Sequence, residues 1–352
     1  MMLFSIPKLN KEIGKEVRAY VDQLTKPVGS LGRLEQLAVE LAEMTGNKFP
    51  DVSPPGVLVF AADHGVAKEG VSAFPPEVTA QMVWNFAQGG AAINVFSRQI
   101  GAIFAIVDVG VAAPIEHEAV ISKKVRYGTN NFCETEAMSN AEAEQALIVG
   151  YEQAKEIIGK GARTLIVGEM GIGNTTTASA ILTAVSGKPI EQLVGRGTGI
   201  SEEKIVHKAD VIRRALSLHK PDPSKPIELL AKIGGLEIAA MAGAMLAAAE
   251  RRVPILLDGF ICTVAALVAK LFVPDVADYM IAGHRSQEIG HQIALELLGK
   301  EPLIDLSMRL GEGSGAAVSF PLLTFATAMI KEMATFASAH ISNSVEGAGK
   351  QS

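Results

Sequence analysis

A carboxylate set between glycines is poorly shielded by its neighbours, and Leu310-Gly311-Glu312-Gly313-Ser314-Gly315 offers one. Such a side chain can project into a cleft. If the cleft is apolar, desolvation raises the carboxyl pKa toward neutrality, which suits a general base. An exposed turn glutamate fits the same residues. Ser314 and the small residues after it can open a tightly packed helix.

A second constellation is Gly168-Glu169-Met170-Gly171-Ile172-Gly173-Asn174-Thr175-Thr176-Thr177. It follows an apolar run and opens a helical pattern. Glycines let a backbone approach a ligand, and the free N–H groups of a helix start attract an anion, so a phosphate is expected here. A strand-to-helix turn with threonine capping accounts for part of the pattern. It matches neither Gly-x-Gly-x-x-Gly nor Gly-x-x-x-x-Gly-Lys-Ser/Thr, so dinucleotide and P-loop binding lose their usual warrant.

Further on, Gly195-Arg196-Gly197-Thr198-Gly199-Ile200 runs into the helix start Ser201-Glu202-Glu203 and on to Lys208. Lys208 could neutralise a phosphate, although spacing alone favours a solvated helix face. Asp258-Gly259-Phe260 and Gly283-His284-Arg285-Ser286 form the last group. Asp258 can hold ribose hydroxyls or cap the next helix; the Ser286 hydroxyl and glycine N–H groups can hold phosphate. His64, His284 and His291 with Asp63 lack metal-ligand spacing, so no metal centre is expected.

These residues need elements to position them. Short apolar runs, each leading into a Gly/polar cluster, recur at Val57–Ala62, Ile103–Val107, Thr164–Val167, Val253–Leu257, Tyr279–Ala282 and, less clearly, Leu303–Ile304. Continuous apolar runs suit strands buried on both faces of a parallel sheet. Helical spacing fills Ala141–Lys160, Glu202–His219 and Leu236–Arg251 between them. The alternation predicts an α/β fold, a Rossmann-like doubly wound, mainly parallel sheet with ligands beyond the strand carboxyl ends. Asn10–Leu24, Leu31–Met44 and Leu322–Ala339 are helical without flanking strands. They suggest a small helical domain from the chain termini, 1–25 with 326–352, beside an α/β catalytic domain over 26–325.

The 352 residues are 48% hydrophobic and 20% charged, enough to bury a large core, and the net charge of −6 argues against nucleic acid. Two cysteines, Cys133 and Cys262, suggest no disulfide framework, and reduced thiols in a cytoplasm are the simpler expectation. The first residues lack the pattern of a signal peptide. Val253–Val273 is broken by Asp258 and Lys270, and Ala316–Ala339 by Lys331 and Glu332. A charge mid-span costs ~3 kcal/mol, so no membrane insertion is expected.

Five blocks resemble the nicotinate-nucleotide:dimethylbenzimidazole phosphoribosyltransferases, in that family's order and across nearly the whole chain. They are Thr25-Lys-Pro-Val-Gly-Ser-Leu-Gly-Arg-Leu-Glu35, Ala62-Asp-His-Gly-Val66, Gly168-Glu-Met-Gly-Ile-Gly-Asn-Thr-Thr176, Leu257-Asp-Gly-Phe260 and Met308-Arg-Leu-Gly-Glu-Gly-Ser-Gly-Ala316. The resemblance implies transfer of the phosphoribosyl group of nicotinate mononucleotide to 5,6-dimethylbenzimidazole. The products would be α-ribazole 5′-phosphate, with inversion at C1′, and nicotinate, on the route to cobalamin. It also implies a homodimer. The pyridinium is already a good leaving group, so no cofactor or metal is needed.

By this resemblance Glu312 is the base that takes the ring proton of the acceptor. Glu169 would help where positive charge develops on the ribose. Phosphate and ribose contacts fall on Glu169, Gly171, Ile172, Gly173, Asn174, Thr175, Lys208, Asp258, Gly259 and Ser286. The acceptor pocket falls on Val71–Met82, with Phe74, Pro75, Gln81 and Met82, and on Leu310. Phe74 stands where some relatives carry serine, and Gln81-Met82 inverts an apolar-Gln order, so a more apolar pocket with a wider acceptor range is expected. Two other readings stay open. A nucleosidase or phosphorylase would release nicotinate with water or phosphate and no aromatic base. A non-catalytic nucleotide sensor would bind the mononucleotide without turnover.

Overall fold

Apolar runs with no alternation leave neither face to water, and they form the middle of a sheet. The computed structural model describes residues 4–195, 197 and 202–342. Its strands are β1 (Pro55–Ala62), β2 (Ile103–Gly110), β3 (Val120–Ser122), β4 (Thr164–Met170), β5 (Ile255–Leu257) and β6 (Met280–Ala282). All pair in parallel, in the order β3-β2-β1-β4-β5-β6. Every residue of β1 is buried. The order reverses between β1 and β4, so the sheet is doubly wound, and a crevice opens beyond the carboxyl ends where the connections diverge.

Some elements differ from the sequence reading. Leu303–Ile304 forms no strand; Ile304 makes only a bridge to His284. The short strand β3 carried no usable signal, because its three residues grade from buried to exposed and make no continuous apolar run. The apolar stretch Val253–Val273 is β5 followed by the helix Phe260–Phe272, with Asp258 at the turn. The helix Ser314–Glu332 is long and apolar enough to cross a bilayer, but 61% of its apolar window is buried within the protein. It joins the small residues after Ser314 to the apolar stretch from Leu322, running through Pro321.

Helices Asn140–Gly159 and Leu236–Glu250 meet backbone to backbone. Ser139 and Glu142 form a capping box that starts the first. A Cβ added at Gly150 would fall on the Ala240 carbonyl, and one at Gly243 on the Leu147 carbonyl. Only glycine permits that approach.

Two compact units result: one holds residues 4–7 with Ser53–Ser319, the other Lys8–Val52 with residues 320–342. The smaller therefore includes the helix Arg33–Thr45, which the sequence division placed with the sheet. That helix packs on Lys11–Val21, with Leu37, Leu41 and Met44 buried along with Val17 and Val21. A buried Lys26–Glu35 ion pair at 2.8 Å and the bridge of Leu24 to Thr335 complete it.

Candidate active site

Within the larger unit a cavity of about 420 Å³ is lined by residues that follow β4, β5 and β6 and by the turn before Ser314. That turn has an unusual backbone: Gly311, Glu312 and Gly313 have φ values of 93°, 64° and 91°. Two of the three are glycines because L side chains rarely adopt this region; Glu312 carries the strain, of order 1 kcal/mol. Gly168 of β4 is a glycine for a related reason, since a Cβ there would strike the Glu312 carbonyl. The turn is thus clamped on the sheet with the Glu312 side chain against the cavity. One carboxylate oxygen accepts the Ile93 N–H at 3.2 Å, in the first turn of the helix Ala92–Gln99, whose positive end favours an anion. Burial raises the Glu312 pKa; the Ile93 N–H opposes that rise and the charge of Asp258 adds to it.

Glu169, the last residue but one of β4, lines the same cavity. Its carboxyl accepts from the Asn174 amide, and burial, then Asp258 and Glu237, push its pKa up to about 8. Asp258 has its acceptors engaged elsewhere. It takes the N–H groups of Gly315 at 2.7 Å, Ala316 at 3.1 Å and Gly313 at 3.2 Å, and His284 Nε2 lies 3.3 Å away. The capping role open to it in the sequence is real. It serves the helix Ser314–Glu332 rather than the helix Phe260–Phe272 that follows it in the chain, and so it fixes the Glu312 turn.

Lys208 is buried, contrary to the solvated helix face that spacing favours. Its Nζ donates to Thr175 Oγ1 at 2.9 Å, and burial brings its pKa down to about 8 against support from Glu288. Ser286 is fixed through its N–H, which donates to His291 Nδ1 at 2.8 Å. His291 Nε2 lies 3.0 Å from Thr263 Oγ1, whose own proton goes to the Gly259 carbonyl at 2.9 Å. This pattern demands a neutral imidazole. Burial, then His284, lowers its pKa to about 4. A depressed histidine binds fewer protons folded than unfolded, so stability is full above about pH 6.5 and lost as pH falls toward 4. We expect this group to cost about 2 kcal/mol between pH 7 and pH 5. In urea unfolding at both pH values, His291→Gln should show the smaller difference; an unchanged difference would remove His291 as its source.

The cavity brings together Glu312, Glu169, Gly171, Ile172, Asn174, Thr175, Asp258, Gly259, Ser286, Phe74, Met82 and Leu310. Gly173, Lys208, Pro75 and Gln81 do not line it. Gly173 sits behind it against His64, Lys208 reaches it through Thr175, and Pro75 and Gln81 are exposed. Sequence reasoning missed Glu288 and Arg309, which do line it, and Ile93, whose contribution is a backbone N–H without a residue signature. The histidines do not converge on one point. His64 bonds Glu237 at 2.8 Å and Thr177 at 2.9 Å, while His284 and His291 face Asp258 and Ser286.

Comparison with known proteins gives this arrangement a lineage. A family model described as phosphoribosyltransferase matches residues 6–341. A nicotinate-nucleotide–dimethylbenzimidazole phosphoribosyltransferase of Chloroflexus aggregans is 50% identical over 342 residues, 97% of each chain. One from Halalkalibacterium halodurans is 49% identical over 350 residues, 99% of this chain and 98% of the relative. The crystal structure of CobT from Thermus thermophilus superposes with a TM-score of 0.91 at 45% identity, covering 94% of this chain and 99% of that one. With the model spanning nearly all of it and relatives near half identical end to end, the chain belongs to this phosphoribosyltransferase family.

Proposed function

We propose that the protein moves the phosphoribosyl group of nicotinate mononucleotide onto 5,6-dimethylbenzimidazole or a closely related base, releasing nicotinate and forming the α-linked nucleotide. The observation that carries this reading is the buried Glu312 carboxylate on its left-handed turn, facing a cavity with apolar Phe74, Met82 and Leu310. An aromatic base fits beside those side chains. One ring nitrogen attacks C1′ while Glu312 takes the proton from the other. The bond to the pyridinium breaks on the opposite face, its electron pair leaving with nicotinate. The donor phosphate lies toward Thr175, Lys208 and Ser286, and the ribose toward Gly259.

Glu169 takes a different role from a fixed negative charge. With a pKa of about 8 it is mainly protonated at pH 7 before the donor binds. A cationic donor or an oxocarbenium-like centre beside it favours its ionised form. The reading includes a homodimer in the cytoplasm, in keeping with the free thiols of Cys133 and Cys262.

The test is turnover of nicotinate mononucleotide with a panel of benzimidazoles and purines, the anomer of each product being assigned by NMR. The expected product is the α-anomer, with benzimidazoles preferred over purines. Nicotinate release with water or phosphate at the same rate, in the absence of any base, would replace this reading by hydrolysis or phosphorolysis.

A further inference from the structure

Glu288 has no part in the chemistry above, yet it lines the cavity. It stands at the N-cap of the helix Ile289–Leu298 and makes no side-chain cap bond there. A carboxylate in that position ordinarily serves its own helix. Here burial raises its pKa, and the charge of Lys208, the Gly197 N–H that it accepts and the charge of Arg309 oppose that rise. Gly195 leaves no room for a Cβ against its carboxylate. Arg309 Nη1 lies 3.5 Å from the Gly197 carbonyl, so the two side chains hold the two ends of one residue. The Glu288 backbone N–H donates to Ser286 Oγ at 3.3 Å, so the same residue also holds the Ser286 hydroxyl.

A carboxylate beside the buried Lys208 is costly for a site that must take a phosphate, since like charges repel strongly where water is excluded. A buried ammonium without an anion is costly too. One arrangement meets both demands. We propose that Glu288 is a stand-in anion, which holds Lys208 charged and occupies the Gly197 N–H until a phosphate-bearing ligand replaces it. Its charge opposes the ligand phosphate, so it weakens nucleotide binding and eases departure of the product, which carries the same phosphate. Glu288 is thereby a specificity-determining residue for the phosphate, and the inference rests on the phosphate lying toward Lys208.

Calorimetric titration of Glu288→Gln with nicotinate mononucleotide and with its dephosphorylated riboside tests this. The glutamine keeps an acceptor for the Gly197 N–H. At pH 7 the variant should bind the mononucleotide about fivefold more tightly than wild type, and the riboside equally. Between pH 7 and 8.5 its nucleotide affinity should fall at lower pH than in wild type, because Lys208 has lost its counter-charge. Glu288→Asp, which keeps the charge, should not show the gain. Unchanged or weaker nucleotide binding at pH 7, or an equal gain for the riboside, would overturn the proposal. Lys208→Ala separates the two levels: an equal loss for nucleotide and riboside would remove the phosphate from Lys208 itself.

Discussion

Glu312→Gln should fold normally, bind nicotinate mononucleotide within about twofold of wild type, and turn over ~10²-fold more slowly, the scale of general-base loss. The isosteric amide still offers an oxygen to the Ile93 N–H, and the left-handed turn is set by its flanking glycines. What disappears is the acceptor for one ring proton. The pH profile sharpens the test. A base works ionised, and burial raises the Glu312 pKa. Wild-type kcat/KM should therefore fall as pH drops through a value above the ordinary carboxylate range. The residual activity of the variant should lack that limb. A variant that turns over near the wild-type rate, or keeps the limb, would take Glu312 out of the mechanism.

Gly150→Ala should lower stability by about 2 kcal/mol, and Gly150→Val by more, both read by urea unfolding. The alanine result is the informative one. In a helix interior, replacing glycine by alanine gains about 1 kcal/mol from propensity alone. The structure places the new methyl group on the Ala240 carbonyl, so the overpacking cost should fall at the upper end of about 1–3 kcal/mol and leave about 2 after that gain. The obstacle is backbone, which cannot swing away as a side chain can. A neutral or stabilised Gly150→Ala protein would mean that the helices Asn140–Gly159 and Leu236–Glu250 lie farther apart than described. Activity should follow stability, since Gly150 does not line the cavity.

The sheet was legible because a parallel strand buried on both faces has to be apolar throughout, as β1 is. β3 escaped notice because three residues at a sheet edge need no such run. At the site, the glycines around Glu312 marked a poorly shielded carboxylate, and the structure adds that they set a left-handed backbone. Asp258 could be seen to end a strand, but its partners lie 55 to 58 residues away, and no local pattern encodes them. Lys208 looked like surface because one face of its helix is polar. Its partners Thr175 and Glu288 reach it from distant parts of the chain. Of the residues expected in the acceptor pocket, Phe74, Met82 and Leu310 line the cavity, whereas Pro75 and Gln81 are exposed and do not.

The ties that Asp258 makes have one more consequence. Several helices begin at this cavity, among them Asn174–Ser186, Phe260–Phe272 and Ser314–Glu332, and each start is electropositive by nature. At Ser314–Glu332 the carboxylate of Asp258 already answers that positive end through Gly313, Gly315 and Ala316. The starts at Asn174–Ser186 and Phe260–Phe272, at Gly173 and Gly259, take no side-chain cap bond. The cavity is therefore a slot with a direction. An elongated molecule that is anionic at one tip and flat and uncharged at the other has one favoured way to lie in it, its head toward Thr175 and its tail toward Glu312. Moving the carboxylate from the start of Ser314–Glu332 to that of Asn174–Ser186 would in effect turn the slot around.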